Sequence, residues 1–175
     1  MSLSRLPIGT QQPALINVII EIPRGSRNKY EYHPQYDTIM LDRVLHSPLF
    51  YPTDYGFIPQ TLADDGDPVD VIVLITQPTF PGCVLEVRPI GMLDMEDEAG
   101  RDEKIIAVAA HDPYYAHVQE IEDVNIHLKK EIQHFFATYK QLEKNKTTNV
   151  LDWHGRIKAH ELISAAHQKL IKNLK

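Results

Sequence analysis

The chain has 175 residues, of which 43% are hydrophobic and 24% charged, and its formal net charge is −6. This length and composition predict a single globular domain, residues 1–175, with a core of ordinary size. The acidic balance disfavours a nucleic-acid-binding protein, for which a basic face is expected, and it is compatible with a site that attracts metal cations.

The cellular compartment is suggested by what the sequence lacks. Cys83 is the one cysteine, so an intramolecular disulfide is excluded and a reducing compartment fits. Residues 1–25 lack the basic and apolar regions of a signal peptide, and no run approaches the roughly 20 apolar residues of a membrane span. We therefore expect a cytoplasmic protein with no membrane partner.

The first two-thirds of the chain read as short strands separated by turn residues. The strand at 69–75 is almost continuously apolar, so we expect it to be buried on both faces. The last two predicted strands flank the acidic loop DMEDEAGRD as a hairpin, and Pro89 predicts an edge or a bulge in the first of them. The predicted strands are 15–22, 29–33, 38–45, 69–75, 84–93 and 103–110.

The last third changes to helical periodicity, over residues 124–144 and from about 155 to 173. Asp123 is the predicted N-cap of the first helix, whose buried stripe includes Tyr139 and Leu142. Short strands followed by two helices predict an α+β, β-dominated fold, a small barrel with two C-terminal helices packed outside it.

The segment DGDPVDV, residues 65–71, crowds three aspartates at the start of the buried strand. Carboxylates so close to one another repel, and a bound divalent cation usually compensates this repulsion. An all-oxygen set selects Mg²⁺ or Mn²⁺ rather than zinc. An EF-hand fails, because Asp70 and Thr76 stand where Gly and Glu are needed. The alternative is a solvated Asp-Gly turn, and this motif alone does not decide between the two.

Further charged residues are placed to join these aspartates. Asp97 and Asp102 are separated by a turn at Ala99-Gly100, and Asp102 shares a strand face with Lys104. Cations suited to phosphate oxygens lie on predicted strands, and tyrosine hydroxyls could bind the same oxygens. Taken singly, Lys29, Arg43 and Lys104 are more simply surface residues and Tyr51 a packed aromatic, an interpretation that is weaker for Tyr55. Near the end of the first helix, Tyr139 and Lys140 could reach the mouth of the barrel.

Together these segments resemble the soluble family I inorganic pyrophosphatases of bacterial type. The matching motifs occur in order and with the family's spacing over nearly the whole chain. They are KYEY (29–32), DR (42–43), FYP-x-x-YG-F-I (50–58), DGDPVDV (65–71), DEAG-x-D-x-K (97–104) and HFF-x-x-YK-x-LEK (134–144). The resemblance implies a five-stranded OB-like barrel that hydrolyses pyrophosphate to phosphate with Mg²⁺, for which Mn²⁺ is a possible substitute. It also implies a homo-oligomer, a hexamer.

The resemblance also implies a role for each matching residue. Asp67 would be the general base. The metal ligands would be Glu31, Asp65, Asp70, Asp97 and Asp102. The substrate would be held by Lys29, Arg43, Tyr55, Lys104, Tyr139 and Lys140. Supporting roles fall to Glu21, Glu98 and Tyr51.

Two departures from the family pattern stand out. The run NKTTNVLDW follows LEK where relatives often carry Gly and an aromatic residue, and Asp54 stands where an uncharged residue is common. We expect neither to touch one of the proposed ligands. Two other classes stay open on the residues alone: an OB-like ligand- or nucleic-acid-binding module, and a structural protein stabilised by Ca²⁺. Phosphate release from pyrophosphate with and without Mg²⁺ distinguishes all three.

Overall fold

The computed structural model describes residues 3–173, and strands outnumber helices in this part of the chain. The strands are β1 (Ile16–Ile22), β2 (Asn28–His33), β3 (Thr38–Val44), β4 (Asp54–Phe57), β5 (Asp70–Leu74), β6 (Val84–Asp97), β7 (Gly100–Arg101), β8 (Lys104–Ala109) and β9 (Thr148–Gly155). The helices are α1 (Ile126–Thr138) and α2 (Arg156–Asn173), with short 3₁₀ turns at Leu3–Arg5, Pro113–Tyr115 and Ile121–Asp123.

Five strands close into a ring in the order β1, β4, β5, β8, β6 and back to β1. All neighbours are antiparallel except β5 and β8, which run parallel. Gly56 permits the close pairing of β4 with β1, since a Cβ there would lie 2.0 Å from the carbonyl oxygen of Ile19. The ring confirms the predicted β-dominated α+β fold and is consistent with the OB-like barrel that the resemblance implies.

Strand β5 shows how the core is divided. Ile72 and Leu74 belong to a buried cluster that includes Phe135 of α1, whereas Val71 and Val73 belong to a second cluster that includes Ile163 of α2. Successive side chains of a strand point to opposite faces, so β5 is apolar on both. The prediction that this strand is buried on both sides is confirmed.

A two-stranded sheet, β2 paired with β3, stands apart from the ring. Its register places Lys29 opposite Arg43. The side-chain Oε1 of Glu21 on β1 accepts a hydrogen bond of 2.6 Å from the backbone N–H of Tyr32, which ties this hairpin to the ring. The hairpin therefore presents two cations beside the strands that carry the acidic motifs.

The helix predictions need two corrections. The N-cap of α1 is Asn125, whose side chain accepts from the N–H of His127, while Asp123 ends the preceding 3₁₀ turn. The helix stops at Thr138 rather than 144, so Leu142 is exposed instead of buried. The helical spacing of apolar residues continues in the sequence beyond Thr138, but the backbone leaves the helix there.

Three details of the strands also differ from or refine the prediction. Strands β4, β7 and β9 were not predicted. The predicted hairpin of 84–93 and 103–110 forms, but β6 continues through Asp97 into the acidic loop. The register between β6 and β8 shifts between Pro89 and Gly91, which confirms a bulge at the proline.

Candidate active site

A cavity of about 790 Å³ opens between the β2–β3 hairpin, the ends of β4, β5 and β8, and the segment that follows α1. Every predicted site residue except Tyr51 lines it. Nine carboxyl side chains face this cavity: Glu21, Glu31, Asp64, Asp65, Asp67, Asp70, Asp97, Glu98 and Asp102. Six cationic side chains face it as well: Lys29, Arg43, Arg101, Lys104, Lys140 and Lys146.

The loop before β5 positions the three aspartates of DGDPVDV. Gly66 has a φ of +97°, a backbone conformation that would be strained in a residue with a side chain. The carboxylate of Asp65 accepts a hydrogen bond of 3.0 Å from the N–H of Asp67, and the Asp67 carbonyl accepts one of 2.7 Å from the N–H of Ala63. Partial burial, then the charges of Asp65 and Asp70, raise the pKa of Asp67. The loop thus holds a carboxyl of raised proton affinity at the cavity wall.

Lys104 occupies the centre of the site and is almost fully buried. Its ammonium donates to Asp70 and to Asp102, each at 2.7 Å, and to the Tyr55 hydroxyl at 3.0 Å. It also lies over the ring of Phe136, 5.7 Å from the centroid. Burial lowers the pKa of Lys104, but the charges of Asp70 and Asp102 outweigh burial and raise it overall, so the side chain is a fixed positive charge.

The turn between β6 and β8 carries the second acidic group. Asp97 accepts a hydrogen bond of 3.1 Å from the ammonium of Lys140, which also lies 3.8 Å from Glu98. Glu98 in turn accepts from Lys146 and from the N–H of Thr147. Slight burial raises the pKa of Glu98, but the bond from Lys146 and the other contacts lower it to about 2. This turn is therefore connected to the chain that follows α1.

The hairpin contributes a third charged group. The ammonium of Lys29 pairs with Glu31 and lies 3.9 Å from Asp42. The guanidinium of Arg43 pairs with Asp42 and with the buried carboxylate of Glu143. Lys29 and Arg43 thus lie together at the cavity, each already paired with an acid.

Glu21 differs from the other carboxyl groups of the cavity because it is almost fully buried. Desolvation, followed by the charge of Asp70, raises the pKa of Glu21 to about 8. The side chain is therefore largely protonated at neutral pH and subtracts little from the net charge of the cavity.

Three tyrosines back the site. Tyr51 does not reach the cavity: its ring packs 5.7 Å from that of Tyr55 and 4.7 Å from that of Phe135. Tyr139, the C-cap of α1, stacks on Phe135 at 5.1 Å and lines the cavity. Burial raises the pKa of all three hydroxyls, so they stay neutral donors.

The donors that could hold a metal are carboxylate oxygens, which suit a hard cation such as Mg²⁺. Within residues 3–173, no three carboxyl, imidazole or thiol groups lie close enough to hold a metal between them as they stand. The ammonium of Lys104 takes the position between Asp70 and Asp102. The donor chemistry fits the expected ion, and binding requires some carboxylates to rotate.

Sequence reasoning missed five charged residues of this region: Asp42, Asp64, Arg101, Glu143 and Lys146. Asp42 and Glu143 lie within the family motifs DR (42–43) and HFF-x-x-YK-x-LEK (134–144), and this position could have identified them as site residues. Lys146 belongs to the divergent run 145–153, which we expected not to touch a proposed ligand. The contacts that it and Thr147 make are with Glu98, a residue predicted to support the site and not to bind metal or substrate.

Comparison with known proteins gives consistent matches. A family model described as inorganic pyrophosphatase matches residues 18–171. The inorganic pyrophosphatase of Thermus thermophilus is 53% identical over 166 residues, which cover 94% of this chain and 95% of that protein. The one from Methanosarcina mazei is 52% identical over 158 residues, which cover 90% of this chain and 93% of that protein.

Solved structures agree over the same length. The crystal structure of the inorganic pyrophosphatase from Thermus thermophilus matches with a TM-score of 0.96 at 51% identity, covering 98% of this chain and 99% of that one. The enzyme from Helicobacter pylori matches with a TM-score of 0.92 at 38% identity, covering 95% and 99%. Sequence and structure together show that this chain belongs to family I of the inorganic pyrophosphatases.

Proposed function

We propose that this enzyme hydrolyses inorganic pyrophosphate to two phosphates with Mg²⁺ as cofactor, and that Asp67 is the general base. The observation that carries the proposal is that six cationic side chains and nine carboxyl groups line one cavity. Lys29 and Arg43 reach the cavity from the hairpin, and Tyr139 and Lys140 reach it from the end of α1. An anion with two phosphate groups suits a clamp built from these two elements.

Charge balance explains why a metal is needed. Even without Glu21, which is largely protonated, eight carboxyl groups face six cationic side chains in the cavity. This excess of negative charge opposes the entry of an anion. Glu31, Asp65, Asp70, Asp97 and Asp102 would hold the Mg²⁺. When bound, Mg²⁺ supplies positive charge for the phosphate oxygens and lowers the pKa of a coordinated water. Mn²⁺ has the same ligand preference and is a possible substitute.

The side chains divide the remaining work. Lys104 sits deepest and keeps its charge, so it would stabilise negative charge on a phosphate while Tyr55 fixes its position. Asp67, with a raised pKa and partial exposure, would accept a proton from the attacking water. Tyr139 and Lys140 would hold one of the two phosphate groups, and Lys29 and Arg43 would hold the other.

Phosphate release tests the proposal directly. We expect purified protein to release phosphate from pyrophosphate with Mg²⁺, to lose nearly all activity in EDTA, and to act poorly on a simple phosphate monoester. Equal rates on pyrophosphate and the monoester would contradict the two-phosphate clamp. Stabilisation by Ca²⁺ without turnover would favour a structural protein instead.

Assembly and location are part of the same proposal. A homo-oligomer, specifically a hexamer, is supported by the family membership, and a cytoplasmic location by the single cysteine. No helix in residues 3–173 is long and apolar enough to cross a membrane.

A further inference from the structure

We propose that Glu143 is a positioning residue for substrate binding, acting through Arg43. It fixes the direction of the guanidinium and sets the distance between the two halves of the phosphate clamp. This inference rests on the proposed function, because it takes Arg43 as a group that binds phosphate.

The pair has the geometry of a two-point grip. The Nε of Arg43 donates to one carboxylate oxygen of Glu143 at 3.1 Å, and Nη2 donates to the other at 2.9 Å. The Glu143 side chain is only 5% exposed, against 25% for Arg43. Two parallel bonds to a planar guanidinium fix its orientation as well as its position. Glu143 is therefore the buried anchor, and Arg43 is the more accessible partner.

The grip decides which part of Arg43 remains for an anion. Glu143 takes the Nε and Nη2 edge, so the remaining donors are those of Nη1 and the second hydrogen of Nη2. Nη1 now pairs with Asp42, whose side chain is about one-third exposed. An entering phosphate can compete with Asp42, which is partly solvated, far more easily than with Glu143, which is buried. Substrate would thus meet Arg43 in one direction only.

The same pair joins two elements that are remote in sequence. Arg43 lies on β3, and Glu143 lies 100 residues later, just beyond Tyr139 and Lys140. The N–H of Glu143 also donates to the carbonyl of Lys140 at 2.9 Å. One ion pair therefore connects the hairpin cations to the residues proposed to hold the other phosphate group.

Steady-state kinetics at saturating Mg²⁺ test the proposal with Glu143→Gln, which keeps the shape and removes the charge. We expect KM for pyrophosphate to rise by roughly tenfold, the usual scale for losing a hydrogen bond to a charged group. We expect kcat to change by less than about threefold, because the lost contact serves ground state and transition state alike. Glu161→Gln, which removes a carboxylate from an exposed pair on α2, is the control and should leave both constants unchanged.

A double-mutant comparison separates positioning from general stability. In an Arg43→Lys background, where the fork is already lost, Glu143→Gln should change KM by less than about twofold. A lower melting temperature for Glu143→Gln with unchanged KM would overturn the proposal, as would a full KM effect in the Arg43→Lys background. If Arg43→Lys itself leaves KM unchanged, the proposed clamp fails; if only Glu143→Gln is silent, this inference alone fails.

Discussion

Asp67 and Asp70 stand three positions apart, yet the structure gives them different surroundings. Asp70 is paired with the buried Lys104, whereas Asp67 has a raised pKa and no cation bonded to it among the hydrogen bonds of the described site. This difference is what we would expect of a metal ligand beside a general base, and it can be tested by replacing each carboxylate with an amide.

Asp67→Asn should lower kcat by roughly 10²-fold or more, the usual contribution of a general base. Its affinity for Mg²⁺ should stay near normal or improve, because one repelling charge is gone. Asp70→Asn should weaken Mg²⁺ binding as well as turnover, and excess Mg²⁺ should restore part of its rate. The measurement is the Mg²⁺ dependence of the rate for both variants. Rescue of Asp67→Asn by Mg²⁺, without rescue of Asp70→Asn, would reverse the two roles.

Glu21 predicts a dependence of stability on pH. Burial raises its pKa to about 8 in the folded protein, whereas in the unfolded chain its pKa returns to the ordinary value of 4.5. Below the unfolded pKa both states are protonated. As pH rises from there towards 8, the unfolded state loses this proton first, so the free energy of unfolding falls, on the order of a few kcal/mol.

Glu21→Gln should therefore be more stable than the parent at pH 8 in EDTA, and equal to it near pH 4.5. Urea unfolding at these two pH values measures the difference. Glu161→Gln on the exposed face of α2 should show no such pH-dependent gain. A parent protein whose stability relative to Glu21→Gln is the same at both pH values would show that Glu21 titrates normally.

At the scale of elements, the unpredicted strand β4 begins with a buried carboxylate that links two loops. Asp54, with no exposed surface, accepts from the N–H of Arg24 at 2.7 Å and from the N–H and hydroxyl of Thr79 at 2.9 and 2.7 Å. It thus ties the loop after β1 to the connection between β5 and β6. Asp54, which departs from the family pattern, therefore holds these two loops together from within the protein.

Asp54→Ala should lower the free energy of unfolding by about 2–4 kcal/mol, since it leaves buried N–H groups without acceptors. Thr79→Val, which removes only the hydroxyl, should cost less. Chemical unfolding of both variants, with Glu161→Ala as the exposed control, gives the comparison. Equal stability of Asp54→Ala and the parent would show that water satisfies these groups.

Elements with a strong local pattern were predictable, and those defined by tertiary pairing were not. An almost continuous apolar run predicts strand β5, and apolar residues at helical spacing predict helix α2. Strand β9 is partly buried, mixed in composition and without a regular apolar pattern, and it becomes a strand by pairing with β6. Helix α1 ends early because the chain turns at Tyr139, and Lys140 and Glu143 then pair with Asp97 and Arg43.

The site was predictable residue by residue only through the family motifs. Spacing placed the three aspartates of DGDPVDV at the start of β5, but no local rule predicts that Lys104 donates to Asp70 and Asp102 at once. Partners such as Glu143 and Lys146 come from loops whose conformation depends on the whole fold. The motifs thus predict most residues that line the cavity, whereas the ion pairs between them depend on how the whole chain packs.

At the scale of the whole molecule, the homo-oligomer that the family resemblance implies needs an apolar surface, and we expect it in the helical last third of the chain. Phe135 and Phe136 of this third are buried within the chain and leave almost no surface for a partner. The apolar side chains that remain exposed in this third include Ile126, Leu142 and Ile157. We expect sedimentation at micromolar concentration to give a stable homo-oligomer, weakened by Ile157→Glu. A stable monomer would refute the prediction.

The net acidity of the cavity should make the stability of the whole molecule depend on Mg²⁺. A cation bound by the folded state alone stabilises it by mass action, and at a hundredfold excess over Kd the gain is about 2.7 kcal/mol. For a chain of this size, such a gain raises the melting temperature by roughly 5–10 °C. The double variant Asp65→Asn, Asp70→Asn should start from a metal-free melting temperature at or above that of the parent, because repulsion is relieved. It should also lose most of the response to Mg²⁺ in a thermal scan. An undiminished response would remove both residues from the metal site and would place the ion among Asp97, Glu98 and their neighbours instead.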